Sequence, residues 1–441
     1  MNPLNPETSL SVGIYTLGCK VSQYESEAIA ESLEHRGFNI LPPSDICDAY
    51  IINTCTVTAE SDRKARQFIR RAITKNPDAF IVVTGCFAQT SPEKIARIDG
   101  VDVIIGNFRK LSAVEKIAEF SKSRVKNKKP LIFVDNTDDS DFEKMNITKF
   151  DRTRAYVKIE DGCENRCTYC VIPNARGKVR SKNPTELIDE VSALIRNGCR
   201  EIVLTGIETA SYGKDLGDVD LADILCRINE INGIGRIRLG SLDPSLIKPD
   251  FVERIAPLKC LAPHFHLSLQ SGSDRILAMM KRKYNSKMAM QSIDLLRVHI
   301  PNVKFTTDII VGFPGETEED FELTCDFVRR AKLLMVHIFP YSRRDGTPAA
   351  KMPDQISPEE KNRRLHILEN ICAQTTSQIL EYEILVNPQK DVLFETCENG
   401  FAYGHTEDFL EVYVKTNENL RGEIRHVSLS SSDGKKIFAY L

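Results

Sequence analysis

The sequence predicts an α/β protein in three parts: an N-terminal doubly wound parallel sheet, a central partial (β/α)6 barrel and a small C-terminal β-barrel. Three observations predict this. Short apolar runs alternate with amphipathic stretches through most of the chain, the pattern of parallel strands joined by helical crossovers. The alternation breaks at 121–148, where the basic "SKSRVKNKKP" gives way to the acidic "DNTDDSDFEK", so a linker joins two such regions. Beyond residue 378 the pattern changes to short strands separated by turns. A length of 441 residues also exceeds what one core organises.

Taken in order, residues 10–120 carry the apolar runs "VGIYTL", "AYIINT", "FIVVTG" and "VDVIIG", separated by helical segments such as "ESEAIAESLEHRG" and "ESDRKARQFIRRA". Continuous apolar runs of this length suit strands covered on both faces. Residues 149–378 carry "RAYVKIE", "EIVLTG", "RIRLGS", "HFHLSL", "VKFTTDIIVG" and "LLMVHIFPY", with helical stretches such as 184–197 and 316–331 between them. Six strand–helix units imply a barrel or partial barrel, with its chemistry in the loops at the carboxyl ends of the strands. In 379–441, "DVLFE", "GFAYGHT" and "FLEVYVK" read as short strands of a small barrel.

Net charge is −3, so any binding of nucleic acid must come from local patches. The opening "MNPLNPETSL" has neither a basic nor an apolar leader region, and no apolar run approaches the roughly 20 residues of a membrane helix. The expectation is a soluble, cytoplasmic protein without a membrane partner. Its thirteen cysteines then point to metal or redox work rather than disulfides.

Two sets of cysteines stand out. Cys163, Cys167 and Cys170 lie in "DGCENRCTYC", just after the first barrel strand. A structural zinc site uses four ligands, and a zinc knuckle would have to borrow a distant one. Three thiolates instead suit three irons of a cubane cluster, leaving the fourth iron open. The second set is dispersed. Cys19, Cys55 and Cys86 follow three successive apolar runs. If those runs are neighbouring parallel strands, the three thiols emerge at one sheet edge, where open α/β sheets bind ligands. Buried cysteines are common, but identical placement after three strands favours a site.

The three-cysteine loop in front of a barrel resembles the radical S-adenosylmethionine (SAM) superfamily. Tyr169, before the last cysteine, matches the adenine-facing aromatic of that family. The wider chain resembles the radical SAM methylthiotransferases, carried by "TLGCKVSQYES", "NTCTVTAESDRKAR", "TGCFAQ", "GCENRCTYCVIPNARG", "HLSLQSGSDRILAMMKRKY", "DIIVGFPGETEEDF" and "FPYSRRDGTPAA". The resemblance implies a methylthiotransferase cluster domain at 10–120, a linker at 121–148, a radical SAM core at 149–378 and a TRAM domain at 379–441. It implies two 4Fe-4S clusters, SAM as methyl donor and radical source, and a low-potential electron donor such as flavodoxin or ferredoxin.

Within that family, "LGCKVSQYES", "LTGIETASYG" and "QSGSDRILAMMKRKY" resemble the branch acting on N6-threonylcarbamoyladenosine next to the anticodon of tRNA. The alternatives are isopentenyladenosine in tRNA and an aspartate of a ribosomal protein. Two basic runs lie beside the cysteines: Arg63, Lys64, Arg66, Arg70 and Arg71, and then Arg176, Lys178, Arg180 and Lys182. They suit the phosphates of a tRNA anticodon stem-loop. The acid-rich 379–441 suits a basic protein partner better. Gly206 and Gly312 are candidate points of close backbone approach to SAM. Arg343 and Arg344, after the last barrel strand, are candidates for the threonylcarbamoyl carboxylate, and Arg180 is a further substrate candidate. A monomer is expected.

Overall fold

The computed structural model describes residues 10–137, 141–150 and 152–441. Nine residues of the opening stretch, and part of the acidic run after 134, lie outside them. The chain divides into two compact units. The first holds the chain up to Lys149 together with Glu160–Asn165 and Cys170–Lys182. The second holds Phe150–Ile159, Arg166–Tyr169 and Asn183–Leu441.

The first unit is built on a six-stranded sheet. Its strands are β1 (Ser11–Thr16), β2 (Asn39–Leu41), β3 (Ala49–Thr54), β4 (Phe80–Gly85), β5 (Val103–Ile105) and β6 (Leu131–Phe133). They lie in the order β2-β1-β3-β4-β5-β6, and every neighbouring pair is parallel. The sheet is wound on both faces. Helix Ala59–Lys75 packs Ala65, Ile69 and Ala72 against Ile52, Ile81 and Val83 on one face. Helices Lys20–His35 and Ser112–Ser123 pack Ile29, Leu33, Val114 and Ile117 against Ile51, Val82 and Val103 on the other. Double coverage buries every residue of β3 and β4, and it explains why these strands read as unbroken apolar runs. Strand β6 comes from the 121–148 stretch and is exposed throughout.

In the second unit the strands β7 (Arg154–Lys158), β8 (Glu201–Thr205) and β9 (Arg236–Leu239) form one parallel sheet. Strands β10 (Ser241–Leu242), β11 (His264–Gln270), β12 (Lys304–Val311) and β13 (Met335–Pro340) form a second. Helices stand between successive strands except β9 and β10, which only Gly240 separates, and an isolated parallel bridge joins Ile237 to Leu261. Sequence order across the strands is that of an open barrel. The last strand leaves Met335, His337 and Phe339 exposed on one face.

Strands β14 (Gln389–Glu398), β15 (Phe401–Thr406), β16 (Glu411–Lys415), β17 (Ile424–Ser432) and β18 (Ile437–Tyr440) close into a barrel in the order β14-β15-β16-β18-β17. Phe394, Val412, Val427 and Ile437 fill it. A Cβ at Gly404 would stand 2.0 Å from the Leu393 carbonyl, so only glycine permits this strand approach. Helix Pro358–Val386 leads into the barrel and runs through the expected boundary at 378.

Part of the acidic excess of this barrel is paired or buried, while Asp391, Glu398, Glu418, Glu423 and Asp433 are exposed. Asp408 is fully buried, 2.8 Å from Lys390 and 3.5 Å from Lys304. Glu395 bonds Arg154 and His405, Glu423 bonds Arg425 and Asp391 bonds His426. Counting acids by sequence overstated the field, because their cations come partly from strands β7 and β12.

A buried ionic cluster ties β7–β9 together. Glu201 is 2.8 Å from Arg238, 3.6 Å from Arg154 and 3.7 Å from Arg236. Burial alone would raise the Glu201 pKa, but Arg238, Arg154 and Arg236 together hold it down at about 2. A depressed carboxylate contributes stability above its unfolded value of 4.5, and the contribution is lost as pH falls from 4.5 towards 2. The shift corresponds to about 3 kcal/mol. Glu201→Gln is therefore expected to lose about 3 kcal/mol at pH 7. It should also show a shallower acid limb when urea stability is followed between pH 5 and 2.

Candidate functional site

Strands β1, β3 and β4 are neighbours in the sheet, and a cysteine follows each. Cys19 caps helix Lys20–His35, Cys55 directly follows β3, and Cys86 opens helix Cys86–Thr90 directly after β4. All three leave the same carboxyl edge. Glycines make the approach possible. Gly18 has φ +114°, and a Cβ there would stand 3.0 Å from Cys55 Cβ and 3.3 Å from its Sγ. Gly85 has φ +98°, and its Cβ would stand 2.4 Å from the Thr54 carbonyl. Burial, then the neighbouring Cys86 and Cys19, push the Cys55 thiol up to about 11. The Cys55 thiol thus resists ionising, and a coordinated metal reverses that balance. The donor set fits a cluster held by three thiolates.

One sulfur of this trio meets a buried guanidinium. Arg176 is fully buried; its Nε donates to Cys86 Sγ at 3.3 Å and its Nη1 to Glu25 Oε1 at 2.7 Å. Nη1 also reaches both Asp161 oxygens at 3.1 Å. Lys110, equally buried, pairs with Glu25. Burial alone would lower the Arg176 pKa, but Asp161, Cys86 and Glu25 hold it well above its ordinary value. Asn107 sits against the same sulfur at 3.9 Å and donates to the Ala175 carbonyl at 2.7 Å. Glu25 belongs to the "QYES" stretch and Arg176 to "IPNARG", so two motifs distant in sequence meet at one cysteine.

The second trio lies in the loop after β7. In the first unit, Glu160–Asp161 pairs antiparallel with Arg180–Ser181 and closes the loop. Gly162 has φ +93°, and a Cβ there would lie 1.8 Å from the Lys178 carbonyl. Cys163 N donates to the Gly177 carbonyl at 3.0 Å, and Ile172 N donates to Cys170 Sγ at 3.4 Å. In the second unit, Cys167 is buried and accepts from Arg282 Nη1 at 3.2 Å. Arg282 Nη2 donates to Asp243 at 2.8 Å, and its Nε to Tyr284 Oη at 3.1 Å. Burial opposes the Arg282 charge, yet Tyr284, Tyr169, Cys167 and Asp243 raise its pKa. Thr168 is held by the Met280 and Met279 carbonyls, and Tyr169 packs against the buried cluster of Ile276, Met280, Phe313, Tyr341 and Ala349.

Thus each trio presents one sulfur to a buried arginine. Sequence reading missed Arg176 and Arg282 in this role, because they lie 90 and 115 residues from their cysteines. Arg176 was read instead within a basic run facing RNA. The structure corrects that run: Arg176, Arg180 and Lys182 are buried, and only Lys178 is exposed. Lys182 is spent on Met145 O at 2.8 Å and Asn146 Oδ1 at 2.6 Å. Arg180 donates through Nη2 to the Arg176 carbonyl at 2.9 Å and lies over the Phe108 ring, while its buried Nη1 has no partner among the described residues. In the other run Arg63, Lys64, Arg70 and Arg71 are exposed, and Arg63 pairs with Glu60.

Gly206 is the first residue after β8. Gly312 follows β12 with φ +70°, its N donating to Glu316 Oε2 at 2.6 Å. A Cβ there would meet Lys361 Cγ at 2.4 Å, so the opening it leaves is taken by a lysine stem. Arg343 is exposed and Arg344 half-buried, both shortly after β13.

A cysteine loop after the first strand of an open parallel barrel defines a radical SAM protein, and the model of the Radical SAM superfamily matches residues 157–328. A second model, Uncharacterized protein family UPF0004, matches residues 11–106. Threonylcarbamoyladenosine tRNA methylthiotransferase MtaB of Bacillus subtilis is 39% identical over 426 residues, covering 95% of this chain and 93% of that protein. The MtaB protein of Thermotoga maritima is 41% identical, covering 96% and 94%. The radical SAM methyltransferase TsrM of Kitasatospora setae, solved with cobalamin and a [4Fe-4S] cluster, shares the fold at a TM-score of 0.56, with 17% identity and 77% of each chain covered. The chain belongs to the radical SAM methylthiotransferase family, as a member like those of the threonylcarbamoyladenosine branch. Among the described residues no helix is long and apolar enough to cross a membrane.

Proposed function

We propose that this protein replaces the hydrogen on carbon 2 of N6-threonylcarbamoyladenosine, beside the tRNA anticodon, by a methylthio group. One 4Fe-4S cluster sits on Cys19, Cys55 and Cys86, and another on Cys163, Cys167 and Cys170. The observation that carries this reading is the pair of cysteine trios, each with one sulfur facing a buried arginine. The names of the relatives support the choice of nucleoside. When bound, the clusters and SAM would relay the reductant's electron and supply the hydrogen-abstracting radical, the methyl group and an open iron able to hold the incoming sulfur.

The chain's own residues hold and orient. Arg176 and Arg282 fix Cys86 and Cys167 and place positive charge beside sulfurs that must be thiolates. Tyr169, Gly206 and Gly312 are the proposed contacts to SAM. The exposed Arg343, with its neighbour Arg344, is proposed to meet anionic groups of the substrate. The proposed reductant is a flavodoxin or ferredoxin, the proposed compartment the cytoplasm, and the proposed state a monomer. Methylthiolation of isopentenyladenosine or of a ribosomal-protein aspartate stands as the alternative outcome.

The C-terminal barrel supports an RNA partner despite its acids. Tyr403 and Tyr413 stack with ring centroids 5.3 Å apart, Lys436 lies 4.2 Å over Tyr413, and with Phe401 and Phe438 they line a cavity of about 370 Å³. Aromatic faces beside a cation stack on nucleic-acid bases, worth about 1–3 kcal/mol per base. Tyr413→Ala is accordingly expected to weaken binding of an anticodon stem-loop about tenfold, read by fluorescence anisotropy at fixed salt.

Nucleoside analysis of tRNA from a strain lacking the protein tests the reaction. Loss of the 2-methylthio derivative of threonylcarbamoyladenosine, with the unmethylthiolated nucleoside accumulating, is the expected result. An unchanged level of that derivative overturns it.

A further inference from the structure

We propose that His266, Asp308 and His337 bind one divalent transition-metal cation, a site drawn from residues of neither cysteine trio. The three stand on the adjacent parallel strands β11, β12 and β13. Register pairs His266 with Thr306 and Asp308 with His337, so all three side chains share one face of the sheet. Their donor atoms lie within 4.8 Å of one another. His266 Nε2 is 3.3 Å from Asp308 Oδ2, and two donors on a tetrahedral ion with bonds of about 2.0 Å stand about 3.3 Å apart. The His266 and His337 rings have centroids 5.8 Å apart.

The support behind the donors is that of a ligand set. His266 Nδ1 bonds Thr306 Oγ1 at 2.9 Å, and the same hydroxyl bonds His264 Nε2 at 3.0 Å. With Nδ1 engaged, Nε2 is the nitrogen fixed towards Asp308, which is how outer hydrogen bonds orient a metal-binding histidine. Two imidazoles and one carboxylate suit zinc, cobalt, nickel or ferrous iron rather than magnesium or calcium, and they leave coordination positions open. His337 is exposed, and the other two are half-buried, so an ion can enter. A simple His–Asp pair would need only two of these residues; the third donor, on the next strand, makes a site.

The test uses the reconstituted full chain under argon, loaded with Co²⁺ alone and desalted. Cobalt content and visible spectra are compared with those of His337→Ala and Asp308→Asn. The expected wild-type-minus-His337→Ala difference is one cobalt per chain, with ligand-field bands and no thiolate-to-cobalt charge-transfer band. Both variants should bind cobalt at least about tenfold more weakly, with iron content and melting temperature unchanged. Equal cobalt in all three proteins, no retained cobalt in any, or a difference spectrum carrying the thiolate band overturns the proposal.

Discussion

Replacing Arg176 by Met is expected to cost the first unit about 3–5 kcal/mol, because Glu25 and Asp161 would keep buried charges without their partner. Lys110 still faces Glu25, so the loss falls mainly on Asp161 and on the sulfur of Cys86. Arg180, 3.7 Å from Asp161, is too distant to replace a guanidinium at 3.1 Å. Iron bound at the Cys19–Cys55–Cys86 trio should fall with the stability. Arg176→Lys keeps the charge but offers a single point donor where a planar fork now bonds three groups, so it should fall between the two. Thermal unfolding and iron per chain, measured for both variants, check this. Wild-type values for Arg176→Met would show that the arginine neither holds the fold nor serves the sulfur.

Gly162→Ala is expected to have the second large effect, and a local one. At φ +93° an alanine carries backbone strain of about 1–3 kcal/mol, and its Cβ would also overlap the Lys178 carbonyl at 1.8 Å. That carbonyl lies two residues before the strand Arg180–Ser181 that closes the loop, so relief requires opening the loop that carries Cys163. About half of the bound iron should be lost, with iron at the other trio retained. Gly198→Ala provides the control. Its φ is also +93°, but nothing lies within 4 Å of the added carbon. It should show the strain cost in a melt with iron unchanged.

Much of this was legible in the sequence, for identifiable reasons. Strands β3, β4 and β8 announced themselves because burial on both faces leaves unbroken apolar runs. Strands β2, β6 and β10 did not, since two or three residues carry no period. The cysteines of the first trio were found through topology, each following a strand. The arginines that face Cys86 and Cys167 were not, because a contact between residues about a hundred apart leaves no local trace. The same blindness misplaced charge. Arg176 and Lys182 read as part of a basic run facing RNA, and Asp408 and Glu395 as an acidic surface, although all four are held in internal pairs or hydrogen bonds. Charge counted along a chain says little about field until partners are known.

The central claim is that two separate cysteine trios each hold a four-iron cluster, and iron counting tests it most directly. Anaerobically reconstituted wild-type protein should carry about eight irons per chain, at four per cluster. The variant with Cys19, Cys55 and Cys86 all changed to Ala should carry about four and keep its fold. Zinc in place of iron, or the same iron content in both proteins, would contradict the account.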